Sequence, residues 1–151
     1  MINYQNANSE IFALFHVAWQ ASAASVVGYM PEVRWQGVQE REIPDGSKYW
    51  ARLSVQTISA KQATLSADCG KPGQKRFTAF GLVFVQLFCP KSDNQAFAKG
   101  QQLAEVARNT FRGKATASNI WFRNVRINEL SPEKLWERFN IIAEFEYDEI
   151  G

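Results

Sequence analysis

Histidine and cysteine are nearly missing from this 151-residue chain, which has one His and two Cys. Zinc sites take Cys and His ligands in sets of three or four, so His16, Cys69 and Cys89, far apart in sequence, form no metal set. His16 lies among Phe12, Phe15 and Trp19 in a helical pattern, and no motif marks a Ser or Cys nucleophile for it to activate. It reads as a half-buried helix residue. No CxxC pair occurs, and two cysteines twenty positions apart do not make a secreted disulfide scaffold. A reduced, cytosolic setting is expected.

Long apolar runs are also lacking. No run approaches the roughly 20 residues of a membrane span, and the polar stretch Met1 to Glu10 shows no secretory signal. There are no internal repeats and no low-complexity tracts. The basic, glycine-containing Gly70-Lys71-Pro72-Gly73 lacks the GxxxxGK[ST] spacing that wraps amides around phosphates, and reads as a hairpin tip. The inventory supports no catalytic residue, cofactor site or small-molecule substrate.

Aromatic residues are plentiful: five Trp and eleven Phe in a chain that is 46% hydrophobic and 21% charged. That composition excludes intrinsic disorder. A chain of this size buries about 68–70% of its unfolded surface, enough for one domain with a real core. The formal net charge of +2 conceals a split. Residues 1–75 carry +1, residues 76–128 carry +6 and residues 129–151 carry −5. Asymmetry of this kind bears on partners rather than on fold.

Ser9 is placed as an N-cap, with Ile11, Leu14, Phe15, Ala18 and Ser22 at helical spacing behind it. This predicts a first helix over 9–24, preceded by a flexible N-terminus of about eight residues. Gly28 to Pro31 breaks the pattern, and Val33-Arg34-Trp35 is a short extended segment. Pro44-Asp45-Gly46 reads as a turn. From Trp50 the register alternates, with Ala51, Leu53, Val55 and Thr57 on one face and Arg52, Ser54 and Gln56 on the other, which predicts a half-buried strand. Ala63 to Ala67 is a second, shorter strand, and 67–75 a mobile loop.

Arg76 to Cys89 is apolar on both faces, as expected of a central strand covered on both sides. Gly81 within it permits a bulge or a close approach. Ser92 and Gln95 fit a capping box for a second helix over 93–112, with the stripe Leu103, Val106, Ala107, Thr110 and Phe111 and a cap at Gly113. Gly100 inside that helix implies close packing on the sheet. Strands over 120–127 and 135–147, joined at Ser131 to Lys134, complete the chain. The pattern predicts a single α+β domain of two helices packed on a mainly antiparallel (mixed) β-sheet.

Three stretches together carry a family resemblance. Tyr49-Trp50-Ala51-Arg52-Leu53-Ser54-Val55 is followed by the strand at Ala63-Thr64-Leu65. Arg76 to Pro90 ends Val85-Gln86-Leu87-Phe88-Cys89-Pro90 and runs into the helix Ala96 to Phe111. Trp136 to Asp148 closes Phe145-Glu146-Tyr147-Asp148. The order W-x-R-x-x-V, V-Q-x-F-x-P, helix, and tryptophan-led strand resembles the tail-terminator-like proteins of long-tailed bacteriophages and prophages, over residues 11 to 150. One departure is the loop after the proline, which reads Lys91-Ser92-Asp93-Asn94-Gln95 where the family commonly has a glycine.

The resemblance implies a non-enzymatic subunit that assembles with copies of itself into a ring, probably a hexamer in that family. The ring caps the tail tube, stops its polymerisation and meets the head-completion proteins. It implies a place in the virion tail, assembled in the bacterial host cytoplasm, with DNA only as passing cargo. A ring requires two different complementary patches on each subunit, and the basic and acidic segments are candidates. The alternative is that they are neighbouring strands neutralising each other within one subunit. Lys71, Lys75 and Arg76 are candidates to face the lumen or touch the tube; a solvated hairpin end is the plainer reading. Trp35 and Trp121 are the aromatics least accounted for by the core pattern, and either anchor an interface or line the core. A competing function is a nucleic-acid-binding module using residues 76–128, where Trp121-Phe122-Arg123-Asn124-Val125-Arg126 interleaves aromatic and basic side chains.

Overall fold

Asn3 opens the first helix: its side-chain oxygen accepts the Asn6 N–H at 2.8 Å, and α1 runs Tyr4–Ser22. The computed structural model describes residues 2–38, 44–62 and 75–150. The helix therefore begins five residues earlier than the Ser9 cap predicts. Residues 4–8 are helical rather than a flexible lead, and Ile2 is buried. Ser9 sits mid-helix with its hydroxyl donating back to the Gln5 carbonyl at 3.1 Å. Asn is among the strongest N-capping residues, and nothing between Asn3 and Ser9 opposes a helix.

The buried stripe of α1 is Ala7, Ile11, Phe15 and Trp19, a strict four-residue repeat, while Ser22 is exposed. Trp19 is fully buried and donates its indole N–H to the Pro31 carbonyl at 3.3 Å. His16 is exposed rather than half-buried, one position beyond the stripe, with its ring 5.6 Å from Trp35. A one-turn helix α2, Ala24–Val27, follows and ends at Gly28, whose φ of 84° caps it. Together α1 and α2 span 24 residues, Tyr4–Val27, long and apolar enough by length and composition to cross a membrane. One stripe of that helix belongs to the domain core.

Five strands form one mixed sheet: β1 Glu32–Trp35, β2 Trp50–Gln62, β3 Arg76–Pro90, β4 Trp121–Leu130 and β5 Trp136–Ile150. Their spatial order is β1-β2-β3-β5-β4. Only the β1–β2 pair is parallel. Helix α3, Ala96–Phe111, carries the chain from β3 to β4 and leaves the gap that β5 fills. This is a single α+β domain with helices in the minority. The short strand expected over 63–67, the Gly70–Gly73 tip and Cys69 lie outside the described residues.

α3 starts later than the capping box predicts. Gln95 occupies the N-cap position without a side-chain bond, and Ser92 plays no capping role. Asp93 organises this turn instead, accepting the Gln95 N–H at 2.9 Å, the Tyr49 hydroxyl at 2.8 Å and Lys99 Nζ at 3.3 Å. Those three bonds fix the Asp93–Gln95 turn, so helical geometry begins beyond it. Gly113 follows the helix at φ 69°, in the left-handed conformation its cap role requires.

The core lies between the helices and one face of the sheet. Leu53, Val83, Val85, Leu87, Phe139 and Phe145 project from the strands and are essentially fully buried. Phe111 of α3 packs between Phe15, at 6.3 Å, and Phe122 of β4, at 5.0 Å. Gly100 lets α3 approach the sheet: a Cβ there would lie 2.5 Å from Phe139 Cε2 and 2.8 Å from Cys89 Sγ. Gly81 has both properties its sequence position suggests. A Cβ on it would meet Phe145 Cζ at 2.3 Å, and it lies beside the β2 bulge between Thr57 and Ser59.

β3 is central as expected, but only one of its faces is covered. All three helices pack on the same side of the sheet, so Phe80, Leu82 and Phe84 on the other face are only half-buried. Two long helices are enough to roof one face of a five-strand sheet, not two.

Candidate functional site

The uncovered face holds the side chains that the core does not use. Strand pairing sets them in rows. Arg34, Arg52, Gln86, Asn140 and Asn128 are successive cross-strand neighbours over all five strands. Beside that row lie Trp50, Phe88 and Arg138, and on its other side Ser54, Phe84, Ile142 and Arg126.

At one corner are four of the residues singled out from sequence: Arg76, Trp121, Arg123 and Arg126. Arg123 and Arg126 are an odd number of positions apart and would face opposite ways on a regular strand. An extra residue in β4, with Asn124 at φ 53°, resets the alternation and puts both on the open face. Asn tolerates that left-handed conformation better than most residues.

Their charges are matched by β5. Arg126 Nη1 lies 3.3 Å from Glu144, and Arg123 reaches Glu144 at 3.9 Å and Glu146 at 3.5 Å. The Asn124 side-chain amide also donates to Glu144. Arg76 lies 3.9 Å from Asp148, which accepts the Thr78 hydroxyl at 2.6 Å. Three basic residues of the +6 segment therefore meet the acidic β5 inside one subunit. The reading in which the two segments form two opposed ring faces loses its footing here. Trp121 remains 44% exposed, with Arg123 over its ring at 5.6 Å.

The other candidates are elsewhere. Trp35 points to the helical side, half-buried, its ring 5.7 Å from Phe12 and 6.3 Å from Phe15. It belongs to the margin of the core. Lys75 adjoins Arg76 just before β3, half-buried, and Lys71 lies outside the described residues.

A second group on the same face escaped the sequence reading. Trp50 and Phe88 stack at 4.0 Å with planes 6° apart, and Trp136 stands edge-on to both. Arg52 lies over both stacked rings, at 5.5 and 5.6 Å, and Arg34 over Trp50 at 5.3 Å. Arg138 donates to the Ser131 carbonyl at 2.9 Å and pairs with Glu133 at 3.0 Å. These side chains line a cleft of about 400 Å³. The signal was available: W-x-R occurs three times, at Trp50-Ala51-Arg52, Trp121-Phe122-Arg123 and Trp136-Glu137-Arg138, and period-two alternation puts each Trp and its Arg on one face.

Cys89 is a free, fully buried thiol on the core side, its pKa pushed up to about 12 by burial and then by Glu137. Burial, with the bond to Asp93, likewise raises the Tyr49 hydroxyl. Asp93 is held below the usual carboxylate range, first by the Gln95 N–H and then by Tyr49. These are structural ties. Among the described residues, no three His, Cys, Asp or Glu side chains group as a metal set.

No protein-family model and no curated protein matches the chain. Among solved structures, one whose name carries no statement of function is similar over 92% of this chain and 94% of its own, with TM-score 0.58 and 18% identity. That likeness is one of fold.

Proposed function

We propose that this chain is a ring-forming, non-enzymatic assembly subunit of the tail-terminator type, which caps a phage or prophage tail tube and offers a surface for head joining. The observation that supports the reading most is the uncovered sheet face. Its central strand carries Phe80, Leu82 and Phe84 only half-buried, and none of them belongs to the buried core cluster. Monomeric proteins rarely leave a broad apolar strip open, and such strips mark interaction sites. The α+β order and the three quoted sequence stretches support the same reading. The charge split adds little to it, since Arg76, Arg123 and Arg126 already pair with β5 within the subunit.

The partners in this reading are further copies of the chain, six in the ring by analogy with the family, the tail tube protein and a head-completion protein. Nucleic acid is only cargo. A nucleic-acid module using 76–128 would need Arg123 and Arg126 free for phosphates, and both are committed to Glu144 and Glu146. Light scattering after size exclusion, over a range of salt and with tube protein added, tests the two readings. Assembly gives a mass near six subunits, alone or on the tube. A strict monomer under all conditions, with oligonucleotide binding that falls steeply with salt, overturns it.

A further inference from the structure

We propose that the Arg34–Arg52–Trp50 cleft on the open sheet face binds a phosphate group, either free or as an ester of a larger molecule. The proposal goes beyond the assembly reading and does not depend on it.

Arg34 and Arg52 are direct neighbours across the β1–β2 pair. Like charges placed opposite each other are unfavourable unless an anion is shared between them. Glu32 neutralises one only in part: it lies 3.3 Å from Arg34 Nε, yet that nitrogen has no hydrogen-bond partner. Arg52 is exposed and, among the described residues, pairs with no carboxylate. Its guanidinium carbon lies 5.5 Å from the ring centroid of Trp50 and 5.6 Å from that of Phe88. A guanidinium held beside aromatic rings rather than by a carboxylate keeps N–H donors available to an outside acceptor.

A second observation points the same way. Trp50 is only 6% exposed, and its indole N–H has no partner. Among the described residues the Trp50 indole N–H thus has no acceptor, and Arg34 Nε beside it has only the poorly aligned Glu32 carboxylate, both next to one cleft. An unsatisfied buried donor is costly, and a ligand oxygen reached by a small side-chain shift would relieve it. The cleft's volume of about 400 Å³ accommodates such a ligand. Arg138 is already held by Ser131 and Glu133 and forms a fixed basic wall. Phosphate suits this set because it presents three or more acceptor oxygens to two forked donors.

The test is tryptophan fluorescence of the full chain, titrated with sodium phosphate at constant ionic strength. Wild type is expected to show a saturable change that chloride and acetate do not reproduce. R52Q and R34Q are each expected to weaken it about tenfold or more, while R126Q, three strands away on the far edge strand β4, leaves it unchanged; circular dichroism checks that each variant is folded. A thymidine oligonucleotide that competes with phosphate and binds more tightly assigns the source to a phosphodiester backbone. Phosphate binding without oligonucleotide binding assigns it to free phosphate or a monoester. No saturable response, an equal response to acetate, or equal losses in R52Q and R126Q would overturn the proposal.

Discussion

Gly100 of α3 rests against Phe139 of β5 so closely that a methyl group on it would fall 2.5 Å from Phe139 Cε2. Gly in a helix interior costs about 1 kcal/mol relative to Ala, so this position is held by packing and not by helix propensity. Gly100→Ala is expected to destabilise the fold despite the better helix former, by about 1–3 kcal/mol from overpacking. Urea denaturation checks it; a stabilised variant would show that α3 can move off the sheet without cost.

The N-terminal cap separates two residues that look equivalent in sequence. Asn3→Ala removes the acceptor for the Asn6 N–H and is expected to cost about 1 kcal/mol. Ser9→Ala, which removes only a mid-helix bond to Gln5, should be close to neutral. Thermal melts of the two variants side by side decide between an Asn3 and a Ser9 start.

Glu144 holds Arg123, Asn124 and Arg126 together at the β4 bulge. All three contacts are partly solvated, so Glu144→Gln is expected to cost no more than about 1 kcal/mol, and less at high salt. With Arg126→Gln added, the loss should be less than the two single losses combined, because they share one interaction. Additive losses in a double-mutant cycle would show that the pair contributes nothing.

Cys89 sets an alkaline limit. Its folded-state thiol titrates near 12, while the unfolded thiol titrates near its ordinary value of 9.0. Between those values the unfolded chain has lost a proton that the native chain keeps, so stability falls as pH rises through that window. Tyr49 and Tyr147, both raised chiefly by burial, act in the same direction at their higher range. Cys89→Ala should flatten the pH 9–12 part of the curve relative to wild type. Chemical denaturation at stepped pH measures the difference, and parallel curves would place the loss on other groups.

Much of the sheet is legible in the sequence because period-two burial leaves a direct imprint. Leu53 and Val55 in β2, and Phe139 through Tyr147 in β5, fall on the face their alternation predicts. Gly81 and Gly100 are equally readable, since a glycine inside a regular element implies a neighbour too close for a side chain. The helix starts are not, because capping is decided by competing local bonds: Asn3 pre-empts Ser9, and Asp93, tied to Tyr49, displaces Ser92. Three-dimensional pairing decides the rest. That Arg123 and Arg126 meet Glu144 depends on which strands are neighbours and on one extra residue at a bulge. The Arg34–Arg52 adjacency depends on a parallel pairing that no local pattern announces. The one-sided roof of helices, which leaves Phe84 open, follows from connection geometry rather than from residue type.

Native mass spectrometry of wild type and Phe84→Glu, each alone and mixed with a phage tail tube protein, tests most directly whether the open sheet face drives assembly. The account predicts a species near six subunits for wild type and only monomer for Phe84→Glu, with unchanged circular dichroism. Wild type remaining monomeric on the tube, or Phe84→Glu assembling as wild type does, would contradict it.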